Sequence, residues 1–123
     1  MKSAGAVSVQ APNSLLVVGD INAREALEIS AELVTVGQNQ ILIGTLASPD
    51  GETQVELTDD ESDLEAADLT FRWEGHLDVP SNTFAVASVE HEIYLSVAVS
   101  RNVRVRVAAN DDSEPDRIVI FVL

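Results

Sequence analysis

Cysteine is absent from the 123 residues. That excludes a disulfide framework, a thiolate-bound metal and a cysteine nucleophile, and it fits a reducing compartment. Aromatic residues are scarce as well, with one Trp, one Tyr and three Phe. A carbohydrate-processing cleft would want aromatic subsites, and five aromatics are a small supply for them. The six glycines stand apart, so no glycine loop cradles a phosphate, and no Gly-x-Ser-x-Gly elbow presents a serine. Apolar runs stay far below the ~20 residues that a membrane-spanning helix needs. Met1 to Gly5 hold one lysine with no apolar stretch behind it, the pattern of a chain without a signal peptide. Together these absences make the cytoplasm the expected location.

Bases are the last scarcity. Seven Lys and Arg face 21 Asp and Glu, a formal net charge of -14. Repulsion from phosphates argues against nucleic acid and against anionic membrane surfaces as partners. A basic protein is the natural counterpart, because opposite potentials speed encounter. The same charge would also keep a β-rich protein soluble or suit a salt-loving host, so it does not by itself demand a partner.

What the chain has in abundance is alternation. Ile93, Leu95, Val97 and Val99 alternate with Tyr94, Ser96 and Ala98, and Val103, Val105 and Val107 alternate with Arg104 and Arg106. A period of two with β-branched residues marks strands with two unlike faces. With Ser100 to Asn102 between them, Glu92 to Ala109 reads as a central β-hairpin. Further strands are expected at Ala6–Val9, Leu15–Val18, Ile41–Leu46, Glu52–Thr58, Leu69–Trp73, Phe84–Val89 and Ile118–Leu123. The strand with Trp73 should anchor the core. Residues 22–30 fit either a capped helix or a strand, and the alternation of Leu27, Ile29, Ala31 and Leu33 favours a strand over Ala26–Val36. Gly37 to Gln40 and Ser48 to Gly51 read as turns, and Gly75 to Asn82 as a link. The expected fold is all-β: one domain over 1–123, frayed over 1–13, built as an antiparallel β-sandwich with a jelly roll as one arrangement.

Few residues suggest chemistry. His76 and His91 are the only histidines, and zinc would need two more ligands. Two acidic clusters offer hard oxygen ligands, Asp59, Asp60, Glu61 and Asp63 in one and Asp111, Asp112, Glu114 and Asp116 in the other. Neither has the spacing of a calcium loop, and solvated loop charge is the plain alternative to a calcium site shared between them. Four of the seven bases, Arg101, Arg104, Arg106 and Arg117, fall in the last quarter. Arg104 and Arg106 share one strand face, where they either pair with acids on adjacent strands or form one pole of a docking surface. No catalytic residue, metal or cofactor is expected. The partner-binding candidates are Asp59, Asp60, Glu61, Asp63, Arg104, Arg106, Asp111 and Asp112.

Residues 78–123 also resemble a known group. Val103-Arg-Val-Arg-Val, an acidic loop and an apolar last strand are similar to the closing segment of small bacterial proteins of the competence-J-type nuclease-inhibitor kind. Arg101-Asn102 stands where that pattern has Gly-Tyr. The resemblance implies a β-sandwich, a cytoplasmic setting and inhibition of a basic toxin or nuclease, and it carries over no functional residue. Three functions are thus open: an acidic, non-enzymatic protein-binding module acting as inhibitor or immunity protein; a structural subunit that self-associates through the terminal strand Ile118–Leu123; and a calcium-dependent or carbohydrate-processing β-sandwich.

Overall fold

A computed structural model describes residues 3–23, 25–47, 50–59 and 69–123. In chain order the strands are β1 (Ser3–Val9), β2 (Leu15–Gly19), β3 (Val34–Val36), β4 (Gln40–Gly44), β5 (Thr53–Thr58), β6 (Thr70–Asp78), β7 (Thr83–Ser88), β8 (Ile93–Ala98), β9 (Asn102–Ala109) and β10 (Arg117–Val122). They form two five-stranded sheets. Sheet A has the order β1-β5-β10-β9-β6, and sheet B has the order β3-β4-β2-β7-β8. The expected all-β sandwich is present. Every pairing is antiparallel except β5 with β10, which run parallel.

The core lies between the sheets. Val55 and Leu57 of β5, Ile118 and Ile120 of β10 and Val103, Val105 and Val107 of β9 face Leu16, Val18, Ile41, Ile43, Phe84 and Val86 of sheet B in one buried cluster. The β9 alternation therefore has the register read from the sequence: its valines are buried while Arg104 stays in solvent. Trp73 packs against this cluster half-buried. Its indole lies over Gly75, where an added Cβ would sit 2.5 Å from the ring. The glycine marks this close approach inside β6, so the expected link at Gly75 begins only after Asp78.

Three expectations fail for identifiable reasons. Glu92 to Ala109 is not a hairpin, because β8 pairs with β7 in sheet B while β9 pairs with β10 and β6 in sheet A. The backbone N–H of Val99 donates to the Asn82 carbonyl and that of Val79 to the Arg101 carbonyl. These bonds pin residues 99–101 to the β6–β7 turn, so the chain crosses between the sheets. The apolar faces of β8 and β9 meet across the core instead of side by side. A bulge opposite Val86 and Ala87 also turns Ile93 outward, away from Leu95 and Val97.

The strand expected over Ala26–Val36 shrinks to Val34–Val36. Ser30 is the cause. Its hydroxyl lies 2.9 Å from the Thr35 hydroxyl, its N–H donates to that same oxygen at 3.0 Å, and it accepts from the Glu32 N–H at 3.2 Å. Such local serine bonds compete with a ladder and bend the chain away from it.

The terminal strand, read as an exposed route to self-association, is the central strand of sheet A. β10 pairs with β5 on one side and β9 on the other, and Ile118 to Val122 are all buried. Its unbroken apolar run is what a strand covered on both faces requires. It has no open ladder to offer a second copy.

Val105→Asp should unfold the protein, since burying an unpaired carboxylate costs several kcal/mol against a total stability of about 5–15 kcal/mol. Arg104→Ala, on the solvent face of the same strand, should change stability by less than about 0.5 kcal/mol. Urea unfolding of both variants checks the register, and a folded, stable Val105→Asp would contradict it.

Candidate functional site

The outer face of sheet A gathers the arginines singled out by sequence. The register sets Thr58, Phe121, Arg106 and Glu74 in one row across β5, β10, β9 and β6. Glu74 takes both arginines, Arg104 Nη2 at 3.1 Å and Arg106 Nε at 2.7 Å. The Arg106 guanidinium also lies 3.5 Å over the Phe71 ring, and Phe71 tilts against Phe121 with centroids 5.8 Å apart. Arg106 is thus mostly covered, while Arg104 keeps access to solvent. Of the two readings of this pair, cross-strand pairing with an acid is what the side chains do.

The described acidic candidates do not all converge. Asp59 follows β5 at the Phe121 end of β10, whereas Asp111 and Asp112 lie in the β9–β10 loop at the Arg117 end. Asp60, Glu61 and Asp63 lie outside the described residues. Of the residues the shared calcium site would draw on, the described Asp59 and Asp111 lie at opposite ends of β10. Among the described residues no group of three or more His, Asp or Glu side chains is placed to hold a metal ion. Both histidines are exposed.

Asp111 organises its own loop. Its Oδ2 accepts from the N–H of Glu114 at 2.8 Å, the N–H of Ser113 at 3.0 Å and the Ser113 hydroxyl at 3.1 Å. The loop is also anchored across the sandwich. The Leu46 N–H and the Thr53 hydroxyl donate to the Pro115 carbonyl, and the Gln54 N–H donates to that of Asp116. A Cβ on Gly44 of β4 would meet the Ser113 carbonyl oxygen at 3.4 Å. The acidic loop therefore sits at one end of sheet B, beside β4.

Beside that loop lies a feature the sequence reading missed. An open groove of about 950 Å³ runs over the outer face of sheet B. Leu15 and Val17 of β2 and Leu42 of β4 form its floor, with Leu27 and Ile29 on one side and Val89 and Ile93 on the other. Ile29 and Ile93 are 66% and 55% exposed. A smaller cleft lined by Leu15, Ile29 and Ser113 continues from it to the acidic loop. The segment beside the groove is fastened by Glu25, whose carboxylate accepts the N–H groups of Gln38, Asn39 and Gln40 at 2.9, 3.0 and 3.1 Å. The only hint of this wall in the sequence was the failure of residues 22–30 to fit one secondary structure.

Among the described residues, charge divides the two sheets. The described arginines, Arg72, Arg101, Arg104, Arg106 and Arg117, all lie in sheet A or immediately before β9. Residues 25–47 and 79–100, which supply most of sheet B and its connections, contain no Lys or Arg. Glu28, Glu90 and Glu92, next in sequence to groove residues, and Glu32, which lines the smaller cleft, are all exposed.

Two measurements test this geometry. Glu25→Ala removes the acceptor of three backbone N–H groups and should cost about 1–3 kcal/mol in urea unfolding; an unchanged midpoint would mean the turn holds itself. The Arg104 hydrogen bond, with the charges of Arg104 and Arg106 behind it, keeps Glu74 below the ordinary carboxylate range. The Glu114 N–H, then the Ser113 N–H and hydroxyl, do the same for Asp111. A carboxylate lowered by folding contributes stability above its unfolded value and loses it as pH falls through the lowered one. Carboxyl-carbon NMR should find both groups titrating low, with a small acid-side loss because both are solvent-exposed. Either group titrating at its ordinary value would show its contacts open in solution.

No family model matches the chain, and no curated protein matches it. Among solved structures, the chain is similar to the crystal structure of ComJ, inhibitor of the DNA degrading activity of NucA, from Bacillus subtilis, with a TM-score of 0.69. The match covers 98% of this chain and 96% of that one at 9% identity, a likeness of fold. The resemblance drawn from residues 78–123 thus extends, as architecture, along the whole chain.

Proposed function

We propose that this protein is a non-enzymatic, acidic binding module of one domain that inhibits a basic nuclease or toxin in the cytoplasm. The observation that carries the reading is the net charge of -14 on a sandwich whose fold is similar to that of a nuclease inhibitor. A nuclease cleft is lined with cations for its phosphate substrate, and an acidic surface competes for those cations. Such a contact needs no catalytic residue on the inhibitor. Among the described residues no helix is long and apolar enough to cross a membrane. Of the acids singled out by sequence, Asp111 and Asp112 belong to the partner-facing surface in this reading, because their loop is held rigidly and is exposed.

Adding the purified protein to the fraction of a native-host extract that a cation exchanger retains should suppress its DNA-degrading activity. Suppression should weaken as salt is raised, and Asp112→Lys should weaken it further. A basic fraction that degrades DNA equally fast with and without the protein, at low salt, would remove the proposal.

A further inference from the structure

The groove over sheet B is apolar along its floor and acidic in its surroundings. Its floor residues Leu15, Val17 and Leu42 lie on the sheet face turned away from the core, while Leu16, Ile41 and Ile43 point into it. Ile29 and Ile93 stand at its sides more than half exposed. Leu42 is buried and Leu15 and Val17 are partly covered, so the apolar area left for an occupant lies mainly on Ile29 and Ile93, and covering it would lower the energy. The charges choose among occupants. Exposed Glu28, Glu90 and Glu92 are next in sequence to groove residues, and Glu32 and Ser113, from the loop that carries Asp111, Asp112 and Glu114, line the smaller cleft that continues from it. The described arginines belong to the other sheet. A second copy of this acidic chain would bring like charge to the rim, and so would an anionic lipid surface.

We infer that this groove is the docking site for a segment of a basic protein partner, one that presents apolar side chains flanked by Lys or Arg. The apolar centre fills the floor over Val17 and Leu42 and supplies the affinity. The flanking cations meet the glutamates and speed the encounter. The inference rests on the partner-binding reading above and assigns that reading a surface.

Fluorescence anisotropy with short synthetic peptides tests it. The probe has paired leucines between runs of lysine. One companion replaces the leucines with serine, and another replaces the lysines with glutamate. The wild-type protein should prefer the probe over either companion by at least about tenfold, a difference of about 1.4 kcal/mol. The double variant Ile29→Gln/Ile93→Gln, altered only at exposed positions, should lose the preference over the serine companion, and His76→Gln on sheet A should keep it. Equal binding of the serine companion would reduce the effect to bulk charge and overturn the inference, as would equal binding of the glutamate companion. Light scattering that finds a wild-type dimer and a monomeric double variant would assign the groove to a second copy and overturn it too. The nuclease assay separates the two proposals. Suppression by the wild type and not by the double variant supports the groove. Suppression by both overturns the groove and leaves the inhibitor function standing. A peptide preference without any suppression leaves the groove and removes the nuclease as target.

Discussion

The insertion of β10 between β5 and β9 is the constraint on which the remaining geometry depends. Its alternate residues serve two faces: Ile118, Ile120 and Val122 in the main core, and Val119 and Phe121 in a second cluster with Ala108 and Leu69. The parallel neighbour does not reach β10 by a short turn, since β5 ends some sixty positions earlier in the chain and runs the same way. Sheet A cannot close until β10 has entered it. Such pairing incurs its loop-closure entropy before contacts repay it, as in other sheets of high contact order. Once made, it fixes both ends of the sheet. The β9–β10 loop is delivered to the Thr53 and Leu46 end, where Pro115 and Asp116 receive their hydrogen bonds. Asp59 is carried to the opposite end. The separation of Asp59 from Asp111 and Asp112 is thus a consequence of one parallel pairing.

The same topology segregates charge. The described arginines lie in sheet A or just before β9, and several are satisfied internally: Glu74 serves two, Asp78 takes Arg101 at 3.3 Å, and Arg72 donates to the Ala109 carbonyl. Pairs this exposed add little stability. Their effect is to remove positive charge from the field a partner meets. Sheet B has no such cations among its described residues to offset its glutamates, and its one buried carboxylate is consumed locally. Asp20 accepts from the Asn22 N–H and from the N–H and hydroxyl of Ser81, latching the end of β2 to the β6–β7 turn.

Sequence resolved what is periodic and missed what is long-range. The burial of Val103, Val105 and Val107 was legible because alternation alone decides which face a residue takes. Alternation is silent about which sheet a strand joins. Two adjacent amphipathic strands with a polar link are compatible both with a hairpin and with a crossing between layers, and residues 99–101 cross because Asn82 and Val79 bind them there. Leu27 and Ile29 were misread for a related reason. Their spacing is that of a strand facing a core, yet they line an outer groove, because the bonds around Ser30 and the reach of Glu25 to a turn 13 to 15 positions away override the pattern. A carboxylate that caps a distant turn leaves no periodic trace. The acids were legible as charge, and only the topology decides which of them share an end.

How such a sandwich can recognise another protein follows from its edges. A free edge invites strand addition, and each of the four outer strands is blunted. β3 is three residues long. β1 and β8 approach one another where the sheets close, with Gly5 against Leu95. β6 is the longest strand, nine residues, and carries a bulge between Phe71 and Trp73 with Arg72 and Glu74 along it, features that twist and charge an edge. The terminal strand, the one with the composition to recruit a neighbour, is already paired on both sides. With the ladders closed, recognition falls to side chains on a face. Sheet A presents a face whose arginines are engaged with its own glutamate and phenylalanine. Sheet B presents a groove whose side residues Ile29 and Ile93 its own chain leaves more than half exposed, next in sequence to exposed acids. Of the two faces, only the second leaves apolar and electrostatic complementarity for another molecule to complete.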